Sequence, residues 1–150
     1  MGVKPESQFI SNVHKYLPYF VHCENMHNPY RAGVPDVWYD SPYNDIWVEY
    51  KWFQKVPPTF NLVHDNRNGL SALQYQWIMR AHNNGRRVFV VAGAKFGNKP
   101  KGLLIQPAYL ETDIKRDDFA SAVFSCKELA TILVRWMELT DEQFQQAKTD

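Results

Sequence analysis

Two hydrophobic periods alternate along this chain. Phe9, Ile10, Val13 and Leu17 recur three and four residues apart, which predicts an amphipathic helix over residues 5 to 17. Pro5 is tolerated in a first turn, and Pro18 ends the run. A short strand is expected around Tyr19 to Met26, before the turn-rich Asn28-Pro29-Tyr30-Arg31-Ala32-Gly33. Asp36 to Asp40 and Ile46 to Phe53 then read as a hairpin, with Ser41-Pro42-Tyr43-Asn44-Asp45 as its turn. The run Ile-Trp-Val-Glu-Tyr-Lys-Trp-Phe over 46 to 53 is the strongest strand signal, being rich in β-branched and aromatic residues. Residues 54 to 69, with adjacent prolines and the polar cluster His64-Asp65-Asn66-Arg67-Asn68-Gly69, read as a long loop of a functional or mobile kind.

A second helix is predicted from Ser71 to Asn84, with Leu70, Leu73, Trp77, Ile78 and Ala81 as its apolar stripe and Gly85 as its C-terminal cap. Arg87 to Ala92 and Gly102 to Gln106 read as strands joined by a turn containing Gly and Lys. Ser125 and Glu128 form a capping box ahead of the stripe Leu129, Ile132, Leu133, Trp136 and Met137. The polar tail from Asp141 reads as a loose short helix. The expectation is one α/β domain of order α-β-β-β-α-β-β-α, with a core over about 5 to 106 and a helical extension over about 107 to 150.

Composition changes this picture little. With 150 residues, 45% of them hydrophobic, the chain is long enough to build a real core. An aromatic share of 15% points to packed rings or to rings that stack on bases, packing being the commoner use. A net charge of +1 is not that of a protein that coats nucleic acid, although an acidic metal site would offset a local basic surface. Cys23 and Cys126 lack CxxC spacing and read as free thiols. The opening Met-Gly-Val-Lys-Pro-Glu has no apolar run behind its charge, and no stretch approaches the ~18 apolar residues of a membrane span. The expected location is the cytoplasm of a bacterium or a phage-infected host, with no membrane partner.

The chemistry concentrates in the hairpin. Gly33-Val34-Pro35-Asp36 is followed, after twelve intervening residues, by Glu49-Tyr50-Lys51. Glu49 and Lys51 lie two apart on a strand and share a face, while Val48, Tyr50 and Trp52 share the other. They are either an ordinary solvated stripe or a site. Two carboxylates on neighbouring strands suit Mg²⁺, with the Tyr50 carbonyl as a further oxygen ligand and Lys51 beside an attacked phosphate. Glu6 falls on or beside the stripe of the first helix, placed either to meet the helix dipole or to reach the site. Gln74 is either the reciprocal partner in the capping box of Ser71 or a member of the same site.

Gly-Val-Pro-Asp36, then Val-Glu49-Tyr-Lys51, then Leu70-Ser71-Ala72-Leu73-Gln74 ahead of a helix and a strand, resembles the PD-(D/E)XK nuclease superfamily. Within it the order is most similar to the VRR-NUC and Holliday-junction-resolvase-like branch, over roughly residues 5 to 92. The resemblance implies a restriction-endonuclease-like α-β-β-β-α-β core, a mixed central sheet flanked by helices, and Mg²⁺- or Mn²⁺-dependent cleavage of DNA phosphodiester bonds. It implies Asp36 and Glu49 as metal ligands, Lys51 as catalytic lysine, Glu6 as the N-terminal helix carboxylate and a further metal ligand, and Gln74 as the helix glutamine near the site. Trp52 and Phe53 depart from the basic or small residue common after that lysine, and the 54 to 69 loop is longer than usual. A homodimer is expected, since nucleases of this branch often pair subunits; the compact size fits a phage enzyme by analogy.

Lys55, His64, Arg67, Arg80, Arg86, Arg87, Lys95, Lys99 and Lys101 lie between the site and the second sheet turn in sequence. Of these, Lys55, Arg67, His64 and Lys95 are the DNA-binding candidates, against the reading of each as solvated surface. His22, Cys23 and His27 lack the spacing and fourth ligand of a zinc site. No phosphate-binding glycine loop or serine nucleophile elbow occurs. The rival functions are a non-catalytic nucleic-acid-binding or assembly module, and an RNA-directed nuclease.

Overall fold

The structure is a computed structural model that describes residues 4–26, 32–65 and 69–149. Helix α1 (Pro5–His14) starts on its proline and buries Phe9 and Val13. Three antiparallel strands follow, β1 (His22–Asn25), β2 (Val37–Asp40) and β3 (Ile46–Phe53). After β4 (Thr59–Phe60), helix α2 (Ala72–Asn83) carries the chain over to β5 (Val88–Phe96), which pairs parallel with β3. Strand β6 (Lys99–Ile105) returns antiparallel. The remainder comprises β7 (Ile114–Lys115), α3 (Arg116–Ala122), β8 (Phe124–Ser125), α4 (Cys126–Glu138) and α5 (Asp141–Thr149). Six strands form one mixed sheet in the order β1-β2-β3-β5-β6-β8, and β4 pairs with β7 in a small second ribbon.

The central strands β3 and β5 are covered by helices on both faces, and apart from Glu49 and Lys51 their buried residues are apolar. Val48, Tyr50, Phe89 and Val91 join Phe9 and Val13 of α1 and Leu129, Leu133 and Met137 of α4 in one core. Phe53, Val88, Val90 and Ala92 join Ile78 of α2, Phe60, Leu62 and Phe119 in the other. Most rings of the aromatic-rich sequence serve these cores; Phe53, Phe60 and Phe119, for example, stack in one cluster.

Two glycines let α1 lie close on the sheet. A methyl at Gly93 would meet the Phe9 ring at 2.5 Å, and one at Gly102 would meet it at 2.8 Å. Phe9 is buried, so a methyl at either glycine would force its ring to shift within a packed core.

Several sequence expectations shift. Strand β1 is shorter than Tyr19 to Met26, and Tyr19 stands outside it, fully in solvent. Strands β5 and β6 run past Ala92 and start before Gly102, so that the joining turn shrinks to Gly97 and Asn98. Gly97 there takes a left-handed φ of +64°. Leu73 of the predicted α2 stripe is exposed. The described part of the 54 to 69 loop is a packed wall, because it buries Phe60 and Leu62 and its Asn61 side chain donates to the Glu111 carbonyl at 2.7 Å.

Arg87, grouped with the surface cations from sequence, is buried. Its guanidinium donates to the carbonyls of Trp136 (2.8 Å) and Leu139 (2.6 Å) and pairs with Asp141 at 3.0 Å. It thereby caps the C-terminus of α4, whose carbonyls have no helical partner, and is committed there. Residues 107 to 149 thus contribute to both cores and, through β8, to the main sheet.

Gly93→Ala should lower the thermal midpoint by about 5–10 °C through overpacking. Adding Phe9→Leu should restore part of the loss; an unchanged midpoint in Gly93→Ala would disprove the close approach.

Candidate active site

The site forms where β2 and β3 part. Their register pairs Val37 with Val48, and continuing it would set Tyr50 against Pro35. Proline has no N–H, so the ladder cannot go on and the Tyr50 carbonyl receives no donor from Pro35. The side chains of the next residues replace the ladder. The Tyr50 N–H donates to Asp36 Oδ2 at 2.9 Å, and the Asp36 N–H donates to Glu49 Oε1 at 3.1 Å. A strand residue points its N–H and C=O to the same edge, so the Tyr50 carbonyl faces the Asp36 side.

Gln74 closes the cluster from the opposite helix. Its Nε2 donates to Glu49 Oε2 at 2.8 Å, and its Oε1 accepts from Lys51 Nζ at 3.0 Å and from the Ser71 N–H at 2.9 Å. Its own N–H donates to Ser71 Oγ. One Gln74 amide therefore completes the capping box and at the same time bridges Glu49 to Lys51. Gly33 allows the approach of the two segments. It takes φ +95°, and a methyl there would strike the Leu73 carbonyl at 2.7 Å, one residue from Gln74.

Glu49 is 2% exposed. Burial, and then the charge of Asp36, push its pKa up to about 8, although Lys51 Nζ lies 3.5 Å from Oε2. Desolvation therefore outweighs the ion pair. Glu6, at the start of α1, is raised by burial and by Asp36 and lowered by Lys51, which places it within electrostatic reach of the site. It does not complete a cage, for among the described residues no three His, Cys, Asp or Glu side chains are grouped to hold an ion.

Behind the strand, the Tyr50 hydroxyl bonds that of Tyr39, which bonds His14 Nε2 at 2.7 Å. Burial lowers the His14 pKa to about 4, so this chain is neutral at physiological pH and ties α1 to β2 and β3.

The structure brings together Asp36, Glu49, Lys51 and Gln74, with Glu6 nearby. Lys55, His64 and Lys95 are exposed, and Arg67 and His27 lie outside the described residues. Ser71, which orients Gln74, was legible only as a helix cap. The donors are two carboxylates and a carbonyl, a hard all-oxygen set that fits Mg²⁺ or Mn²⁺ when water and phosphate complete the shell. A divalent ion would also supply the charge that the buried Glu49 lacks.

These elements define a mixed α/β protein with a hydrogen-bonded polar cluster where the strands of its central hairpin part. Among solved structures, the chain is similar to Hjc of Archaeoglobus fulgidus, a Holliday junction resolvase from an archaeal hyperthermophile. The TM-score is 0.51 at 15% identity, covering 83% of this chain and 99% of that one. The likeness is one of fold, and it agrees with the restriction-endonuclease-like sheet and flanking helices expected from sequence. No family model and no curated protein sequence matches the chain. Among the described residues, no helix is long and apolar enough to cross a membrane.

A raised pKa means that the folded state holds the Glu49 proton more tightly than the unfolded chain does. Stability is therefore lost as pH rises from the ordinary 4.5 toward about 8. In EDTA, the thermal midpoint should fall between pH 5 and pH 9, and Glu49→Gln should flatten that fall and melt ~5 °C higher at pH 9. Parallel curves for the two proteins would contradict the buried, protonatable carboxyl.

Proposed function

We propose that this chain is a metal-dependent nuclease of the PD-(D/E)XK type that hydrolyses DNA phosphodiester bonds, acting on branched or otherwise structured DNA. The observation that carries the reading is the single hydrogen-bonded constellation of Asp36, Glu49, Lys51 and Gln74, drawn from β2's approach, β3 and the start of α2. A solvated surface stripe would not bury Glu49 or commit three segments to holding it. The order of the Gly-Val-Pro-Asp, Glu-x-Lys and Leu-Ser-x-x-Gln motifs supports the VRR-NUC and resolvase-like branch. The resolvase fold of the archaeal protein supports a four-way junction as the first DNA to try.

Asp36, Glu49 and the Tyr50 carbonyl would hold Mg²⁺ or Mn²⁺, with Glu6 acting on the ion from α1 through its charge. Bound there, the ion would supply charge neutralisation and a water of lowered pKa. Lys51 stabilises negative charge building on the phosphate and presents a proton donor to the attacked centre. Gln74 sets the distance between Glu49 and Lys51, so that neither collapses on the other. Lys55, His64, Arg67 and Lys95 are assigned to phosphates flanking the scissile bond, which position DNA without reading its sequence. Two copies of the chain would cut two strands as a homodimer.

Labelled duplex, single-stranded, flap and four-way-junction DNA, incubated with Mg²⁺, Mn²⁺ or EDTA, test the reading. Cleavage should require the metal, disappear in Asp36→Asn and Glu49→Gln, and fall about 10²–10³-fold in Lys51→Ala. Gln74→Ala should cost less, ~10-fold, because it positions other groups. DNA that is bound but left intact under every condition would support a non-catalytic binding module, and cleavage of RNA alone would reassign the substrate.

A further inference from the structure

The sheet face that carries α1 holds two grooves that share a wall. The first, about 300 Å³, runs from Pro5, beside Glu6, past Asn12 to Trp52, Gln54 and Lys95. The second, about 310 Å³, continues from Asn12 and Pro100, which line both, to Lys15, Tyr16 and Lys127, with Lys99 and Lys101 alongside. Pro5 stands at one end of the first groove, and Glu6 beside it feels the charges of Asp36 and Lys51, so that end of the path lies near the candidate active site although Trp52 and Lys51 point to opposite faces of β3.

The lining of this path differs from the rest of the chain. Five lysines and no Asp or Glu line the two grooves, in a protein with 17 Lys and Arg against 16 Asp and Glu. The near-neutral net charge conceals a strip of one sign. Each groove also has an aromatic ring: Trp52, half-buried against Phe9, in the first, and Tyr16, 45% exposed, in the second. Side-chain amides of Gln8, Asn12 and Asn98 lie between them. Lysines that follow a backbone, with rings spaced along it and amides able to meet base edges, are what an unpaired strand requires. Volumes near 300 Å³ are at the low end for small-molecule sites.

We propose that the joined grooves bind a single DNA strand leaving the active site, with bases on Trp52 and Tyr16 and phosphates on Lys95, Lys15 and Lys127. The substrate is then DNA with an unpaired tail or flap next to the cleaved bond. This assignment rests on the nuclease reading for its place in catalysis, but its binding test does not depend on turnover.

The test measures, in EDTA, binding of the full chain to a labelled blunt duplex and to the same duplex with a tail of about 12 nucleotides, a length within the range of single-strand sites. The tailed DNA should bind ~10-fold tighter. Neutralising the exposed Lys15, Lys95 and Lys127 together to Gln should reduce the salt slope of tail binding by about 2. Trp52→Leu should weaken tail binding ~10-fold with little effect on the blunt duplex. Arg86→Gln, at the opposite end of β5, should change nothing. Equal affinity for blunt and tailed DNA, or an unchanged salt slope in the triple variant, overturns the proposal. Tail binding without cleavage when Mg²⁺ is added would sink the nuclease reading and leave the strand path standing. Cleavage by a wild-type protein indifferent to tails would do the reverse.

Discussion

Burial of the Glu49 carboxylate is the constraint around which the hairpin, the first turn of α2 and the glycine-proline approach to Asp36 are arranged. A carboxylate at 2% exposure needs donors on both oxygens, and it obtains them from the Asp36 N–H and the Gln74 amide. Each donor brings its segment with it. The Asp36 N–H fixes where β2 leaves the ladder, and Gln74 fixes how α2 enters the layer above. The amide also has a defined polarity, since its oxygen faces a cation and an N–H while its nitrogen faces an anion. A cluster held this way is pre-organised before any substrate arrives.

The same economy governs the far face. The Phe9 ring settles onto Gly93 and Gly102, and the neutral chain from His14 through Tyr39 to Tyr50 fastens α1 to the strands that carry the site. These contacts set the position of Glu6 relative to Asp36 and Lys51, and they form one wall of the grooves that lead away from the site. The helix that supplies core packing on one side thus brings a carboxylate near Asp36 at its start and lines the two grooves along its length.

The proposed catalytic cluster and the proposed strand path lie on different faces of the sheet. Glu49 and Lys51 project toward α2, where Gln74 holds them, whereas Trp52 and Lys95 project toward α1. Arg87 marks the limit of reading charge as function, because a buried guanidinium capping α4 has no capacity left for DNA.

Local pattern determined much of this. The alternation and β-branching of 46 to 53 set β3 residue for residue, and the capping boxes at Ser71 and Ser125 set the starts of α2 and α4. The strand period alone put Glu49 and Lys51 on one face, whereas Asp36 and Gln74 joined them through the resemblance in motif order to PD-(D/E)XK nucleases. Short elements such as β4, β7, β8 and α3 had no such signal, because two residues carry no period and their pairing comes from partners distant in sequence. Tertiary structure alone decided that Gln74 serves as both cap and bridge, that Glu49 is buried deeply enough to lose its ordinary acidity, and that Arg87 is committed to α4. It also joined lysines from α1, β5 and α4 into one strip that a near-zero net charge had hidden, because position, and not number, makes a charge a field.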